Sequence, residues 1–318
     1  MTINAPLRIG TRKSKLALIQ THLVCAALKK SVPALAEPDV IDVIELDTLG
    51  DQTQSQNLSL VEHGGKDLWV NEHEAAMRAG HVDCAVHSVK DIPGHLAEDM
   101  AISYVLPRVD ARDVFLSPHA DHFMDLPQGA VIGTSSPRRA AFVLSRRPDL
   151  KVEVFRGNVE TRLKKLAEGL VDGTFLAKAG MVRLGFKDHI QTVLETQDMV
   201  PAVGQGAIGV EFLKERHDLQ DLFVQIQHHH TGLSVTAERA WLQAMGGTCK
   251  SPLAAYAEFD QAHEVLTLTA FAARLDGCET KTQTSTAIVQ TKAEAEKLGA
   301  DLGVEMKASL PDDFFKAA

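Results

Sequence analysis

Arginines recur in this chain where short apolar runs turn into helices, and those positions are suited to holding anions. In Gly133 to Ala140, GTSSPRRA, the hydroxyls of Thr134, Ser135 and Ser136 can cap a helix, Pro137 suits its first position, and Arg138 and Arg139 fall inside its first turn. The helix dipole favours negative charge there, so two cations cost stability unless an anion joins them. The stretch FRGNVETRLKKL repeats the device, with Arg156 before Gly157 and Arg162 in the opening turn of a helix whose apolar face reads Leu163, Leu166, Ala167 and Leu170. Solvated turns would use the same residue types, but two such units in succession point to an anion site. A third instance opens the chain, where Leu7–Gly10 leads into Thr11, Arg12, Lys13 and Ser14. In HSVKDIP, Lys90 and Asp91 follow the apolar run 82–86, at a strand's carboxyl end, where open α/β sheets place their ligands. Asp also suits a plain turn before Ile92 and Pro93.

The elements that must carry these groups alternate between strand and helix. Strands are expected at 7–10, 40–46, 82–86, 101–106, 130–132, 152–155, 174–177 and 208–212, and helices after the first cationic loop, around 70–79, and after each arginine loop. In the first helix Leu16, Ile19, Leu23 and Ala27 share one stripe. The segment Pro107 to Asp113 reads as a crossing into a second lobe. The Gly- and Pro-punctuated MVPAVGQG, Met199 to Gly206, reads as the return, with Gln205 inside it. A cleft between two such lobes would collect Arg12, Lys90, Asp91, Arg138, Arg139, Arg156, Arg162 and Arg183. Beyond residue 220 a helix at 231–245 leads to GGTCKSP, then three strand-like stretches with an Asp276-Gly277 turn signal and a closing helix, which is an α+β pattern. The domain division expected is 1–105, 106–199, a return segment 200–222, and 223–318.

With 318 residues the chain can bury more than one core. Lys and Arg number 33 against 42 Asp and Glu, a net charge of −9, which argues against a broad nucleic-acid or membrane footprint and makes any positive field local. No run approaches a membrane span, and the start MTINAPLRIG shows no apolar targeting segment. Cys25, Cys84, Cys249 and Cys278 lack zinc-type spacing and fit a reducing compartment, so a cytoplasmic protein is expected. Three consecutive histidines, His228 to His230, cannot converge on one ion from a helix, so no metal site is expected.

LRIGTRKSKLAL, AVHSVKDIP, VIGTSSPRRA, FRGNVETRLKKL, PAVGQGAIGVE, TAERA and GGTCKSP stand in the order seen in the porphobilinogen deaminase (hydroxymethylbilane synthase) family, which the chain resembles over nearly its whole length. The resemblance implies two lobes like those of periplasmic binding proteins plus a C-terminal α+β domain with a small antiparallel sheet. It also implies a transferase that adds four porphobilinogen units in turn to a dipyrromethane cofactor held by a thioether to Cys249, losing ammonia at each step and yielding hydroxymethylbilane. By that likeness Asp91 is catalytic. Lys90, Ser88, Thr134, Ser136, Arg138, Arg139 and Arg162 join Cys249 in binding the cofactor, while Arg12, Arg156, Arg183 and Trp69 bind substrate. No nucleic acid, membrane or metal is implied, and a monomer is expected. The chemistry agrees: a growing pyrrole chain is a dense polyanion that planar guanidinium groups hold in bidentate fashion, and a carboxylate would stabilise the cationic azafulvene-like species left by deamination.

Departures from the family cluster in the loop before 72, where Glu62, Asp67, Trp69 and Asn71 replace more basic or apolar residues. Lys15 replaces a usual proline, Lys178 an apolar residue, and His230 an acidic one. The competing reading is a bilobal anion-binding protein without catalysis, and Cys249 and the missing export signal count against it. If Cys249 is the tether, Cys249→Ser abolishes stable cofactor attachment; intact-protein mass checks this, and a Ser variant bearing the full adduct would contradict it.

Overall fold

Three sheets organise residues 6–47, 70–247 and 251–315, the residues described by a computed structural model of the chain. The chain first lays down β1 (Leu7–Arg12), α1 (Lys15–Ser31), β2 (Ile41–Leu46), α2 (Asn71–Arg78), β3 (Cys84–Ser88) and β4 (Met100–Val105). It crosses to β5 (Asp113–Leu116), β6 (Val131–Gly133), α3 (Pro137–Arg146), β7 (Lys151–Glu153), α4 (Val159–Ala167), β8 (Gly173–Ala177), α5 (Lys178–Arg183) and β9 (Thr192–Val193). It then returns through β10 (Ile208–Leu213), α6 (His217–Val224) and α7 (His229–Met245). A third unit follows, made of β11 (Leu253–Asp260), β12 (Val265–Ala273), β13 (Thr280–Ile288) and α8 (Lys292–Ala308).

The first two sheets are wound alike. Their strand orders are β2-β1-β3-β10-β4 and β7-β6-β8-β5-β9. In each, three parallel strands meet one antiparallel strand that arrives from the other lobe: β10 lies between β3 and β4, and β5 between β8 and β9. The chain therefore crosses twice, and the crossings touch where Val109 N–H donates to the Gly206 carbonyl at 3.5 Å. Gly206 has φ +88°, and a Cβ there would meet the Val109 carbonyl oxygen at 2.5 Å, so this contact requires glycine. The fold is thus α/β, with two lobes of the periplasmic-binding-protein kind and a small antiparallel third sheet.

Packing corrects two apolar stripes. α1 buries Ala17, Gln20, Thr21, Val24, Cys25 and Leu28 rather than the stripe through Leu16, Ile19, Leu23 and Ala27, and Leu23 is 43% exposed. The buried face is offset because its two polar members have partners: Thr21 Oγ1 donates to the Ala17 carbonyl, and Gln20 Oε1 accepts from Ser88 Oγ at 2.9 Å. α4 stops at Ala167 and buries only Leu166, leaving Leu170 exposed. Helix α7 starts at His229 instead of Thr231, with His228 as its N-cap and the His230 ring stacked on Phe259 at 4.5 Å. Among the described residues no cluster of side chains is arranged to hold a metal.

In the third unit α7 and α8 lie over one face of the sheet around Trp241, Leu268 and Leu302. The opposite face meets the second lobe, where Phe142 of α3 packs on Phe271 with ring centroids 4.7 Å apart. The two helices approach through small residues: a Cβ on Gly299 would overlap the Ala237 carbonyl oxygen, and one on Gly303 would lie 2.6 Å from Ala244 Cβ. Such overpacking costs about 1–3 kcal/mol. Gly299→Ala is therefore expected to lower the unfolding free energy measured by urea denaturation by that much, with a correspondingly lower midpoint. Gly232→Ala, on α7 where an added Cβ meets nothing within 4 Å, leaves it unchanged or raises it.

Candidate active site

A cavity of about 320 Å³ opens between the lobes and the third unit, lined from one side by Lys90 and Asp91 and from the other by Ser135, Arg138, Arg139 and Arg162. β3 delivers the first pair. Its carboxyl end passes into a three-residue 3-10 turn, Val89–Asp91, which leaves Asp91 exposed and Lys90 half-buried. β6 delivers the second group: Ser136 caps α3 by accepting from the Arg139 N–H at 3.4 Å, Pro137 takes the first position, and the two arginines follow. Thr134 is buried, and its Oγ1 accepts from the Ser136 N–H at 3.1 Å.

Arg138 and Arg139 have a partner inside the protein that the sequence did not show. Both are buried, 4% and 6% exposed, and both pair with the fully buried Asp113 at 2.6 and 2.7 Å. Arg138 also donates to the Val200 carbonyl and Arg139 to the Phe175 carbonyl. Gln205, 1% exposed, donates to Asp113 at 2.9 Å and to the Ala111 carbonyl, so its role is carried by its side chain as well as by the hinge backbone. Burial alone would push the Asp113 carboxyl up, but the two guanidiniums and the Gln205 amide outweigh it and hold the group well below the usual carboxylate range. Asp113 opens β5 at the end of PRVDARD. The motif was legible as a crossing, but nothing in it marked this carboxylate as the partner of residues 25 and 26 positions away.

One carboxylate does not balance the site. Among the described residues, Lys90, Arg138, Arg139 and Arg162 line the cavity with Asp91 as the one acidic lining residue, and Asp113 pairs with two of them from behind the wall. Arg162 donates Nε to the Gly157 carbonyl at 2.9 Å, and burial with Arg139 nearby lowers its pKa to about 10. Burial lowers Lys90 to about 8, with Asp91 acting against the shift and Arg139 adding to it; its Nζ lies 3.4 Å from Gln205 Oε1. The Nε atoms of Arg138 and Arg139 and the Ser135 hydroxyl are buried without a hydrogen-bond partner. Surplus positive charge with unspent donors suits an anion carrying carboxylates, and the residues present therefore fit a dipyrromethane with its acidic side chains.

The remaining expected residues are spread more widely. Arg183 does not line the cavity; its Nη2 donates to the Gly206 carbonyl at 2.9 Å, tying α5 to the return crossing, and burial lowers its pKa to about 10. Arg12 closes β1 and Arg156 precedes α4, both half-buried outside the cavity wall. Ser88 spends its hydroxyl on Gln20. Cys249, Trp69, Glu62 and Asp67 lie outside the described residues, but Ser251, two positions after Cys249, lines the cavity with Leu253 and Leu242. Lys178 pairs with Asp110 at 2.7 Å and does not line the cavity. Sequence reading also missed Glu238 of TAERA. Fully buried, it pairs with Arg108 at 2.5 Å and accepts from the Gly204 and Ala257 N–H groups, so one carboxylate joins both crossings to the third sheet.

Residues 7–221 match the family described as porphobilinogen deaminase, dipyromethane cofactor binding domain, and residues 233–308 match its C-terminal domain. A porphobilinogen deaminase of Albidiferax ferrireducens is 42% identical over 305 residues, covering 96% of this chain and 94% of that one. The chloroplastic porphobilinogen deaminase of Pisum sativum is 40% identical over 314 residues, covering 98% and 84%. A periplasmic substrate-binding protein of an ABC transporter from Coxiella burnetii gives a TM-score of 0.42 at 14% identity, covering 69% of this chain and 91% of that one, too distant to bear on function. The chain belongs to the porphobilinogen deaminase family.

Proposed function

We propose that this chain is a porphobilinogen deaminase (hydroxymethylbilane synthase). It condenses four porphobilinogen molecules stepwise onto a dipyrromethane primer joined to Cys249, releases ammonia at each step, and frees hydroxymethylbilane by hydrolysis. The observation that carries the reading is the cavity where Asp91 and Lys90 stand opposite Arg138, Arg139 and Arg162, with Ser251, two positions after Cys249 in the sequence, on the same wall. The primer supplies a free pyrrole carbon on which the chain can grow.

The protein's own groups do the rest. Arg138 and Arg139, fixed by Asp113, present rigid donors that bind carboxylates without first being ordered, and Arg162 and Lys90 add charge on either side. Ser136 lines that wall, Ser88 and Thr134 are assigned to the primer with it, and Arg12, Arg156, Arg183 and Trp69 are assigned to incoming substrate. Asp91, on a wall of otherwise cationic character, accepts hydrogen bonds from pyrrole N–H groups. It stabilises the positive charge left on a substrate when its amino group departs as ammonia, and it assists removal of the proton displaced by the new C–C bond. The domain division at 105/106, 199/200 and 222/223 is proposed with this reading, supported by the strand exchange between the sheets. A cytoplasmic monomer is proposed as well. The unbridged Cys25, Cys84 and exposed Cys278 fit a reducing compartment, and among the described residues no helix is long and apolar enough to cross a membrane.

Incubating the purified protein with porphobilinogen is expected to release ammonia and to add mass in successive pyrrole steps; a chain that binds porphobilinogen but never gains mass would be the non-catalytic anion binder instead. Asp91→Ala is expected to keep the primer adduct and lose elongation by about 100-fold or more, the scale of a lost acid–base group; near-normal rates would remove Asp91 from its role. Lys90 gives a pH signature. It is cationic below about 8 and loses its charge as pH rises through that value. In the Cys249→Ser background, porphobilinogen binding measured by calorimetry should weaken about tenfold as pH rises past 8, the worth of one charge-assisted bond. Lys90→Arg in the same background should move that decline above pH 9, and an unmoved decline would assign it to another group.

A further inference from the structure

Helix α7 grips the turn that leaves Asp91. Arg239, 5% exposed, donates from Nη2 to the Pro93 carbonyl at 2.8 Å and the Gly94 carbonyl at 3.3 Å. Gln243, four residues on and so on the same helix face, donates from Nε2 to the Gly94 carbonyl at 3.0 Å. The backbones are also close, since a Cβ on Gly94 would lie 3.3 Å from the Gly247 carbonyl oxygen and 3.5 Å from the Leu242 side chain. Two carbonyls, two and three residues after Asp91, are thus held by one helix. That helix ends at Met245, four positions before Cys249.

Asp91 needs such a hold. Its 3-10 turn is only three residues long, closed by the Ile92 N–H to the Val89 carbonyl at 3.1 Å, and its side chain is exposed in the cavity. A turn that short does not fix a carboxylate unless the outgoing chain is fixed too. A displacement of about 1 Å at a reacting group costs on the order of 100-fold in rate.

We propose that Arg239 and Gln243 are positioning residues for the condensation: by holding the Pro93 and Gly94 carbonyls they tie the location of Asp91 to the helix that precedes Cys249 in the sequence. This rests on the roles given above to Asp91 and Cys249. Arg239 also packs within the third unit's contact with the first lobe, so it serves fold and site together. Gln243 is exposed, and its amide can be altered without disturbing the core.

The test uses two Gln243 variants of the full chain carrying its primer. Gln243→Glu keeps the shape but places an acceptor against a carbonyl oxygen, whereas Gln243→Lys restores a donor. With Glu, the adduct mass and the KM for porphobilinogen (within twofold) are expected to persist, kcat to fall about tenfold, part of the loss that a full 1 Å displacement would bring, and amide exchange in 89–95 to quicken. With Lys, kcat returns to within about twofold of the parent protein. Unchanged kcat and exchange in the Glu variant would overturn the proposal, as would equal losses with Glu and Lys or a loss that tracks missing adduct. If the parent chain carried no adduct, the functional reading would fail separately, and exchange in 89–95 would still decide whether Gln243 holds that turn.

Discussion

A single carboxylate, buried without access to water, sets the geometry of this site. Asp113 accepts from Arg138, Arg139 and Gln205 together, and burying a charge in that way is tolerable only with such complete pairing. Its position at the start of β5 makes it part of the first crossing, while Gln205 belongs to the second and the arginines to α3. The two crossings and the cavity wall are therefore one hydrogen-bonded unit. A change of lobe angle that moved either crossing would have to reorient the guanidiniums or leave Asp113 with fewer partners, a loss of about 3–5 kcal/mol when one partner of a buried pair is removed.

Glu238 extends the same logic to the third unit. Arg108 and the Gly204 N–H come from the two crossings, Ala257 N–H from β11, and all three converge on one carboxylate of α7. α7 also touches the turn after Asp91 and leads towards Cys249, so the third unit is registered against both lobes through one helix. Two buried carboxylates, each satisfied from several elements, make the relative placement of the units specific in a way that apolar packing alone does not.

The departures from the family pattern acquire structural meaning where they fall on described residues. Lys15, where proline is usual, pairs across the cleft mouth with Glu160 of α4 at 3.2 Å. Both side chains are largely exposed, so the pair contributes at most about 1 kcal/mol and is screened by salt. Lys178 joins Asp110, which Arg112 also holds, so the added charge reinforces the crossing rather than the cavity. His230 stacks on Phe259, a contact that an acidic side chain would not make.

The sequence by itself determined the alternation of strand and helix, the two crossings, the cap at Ser136 and the concentration of arginine at strand ends, because each depends on short-range spacing and on which residues suit a turn or a first helical position. Motif order placed Lys90 and Asp91 at the end of β3, and the structure puts both on the cavity wall. Only the tertiary structure decided which partners the arginines have within the protein. It gave Arg138 and Arg139 a buried partner in Asp113, sent Arg183 to the Gly206 carbonyl, and moved the buried face of α1 onto Gln20 and Thr21. The reason is physical. A helix stripe or a loop cation can be read from neighbours three or four residues away, but whether a polar group is satisfied depends on partners brought together from distant parts of the chain, and spacing carries no trace of that.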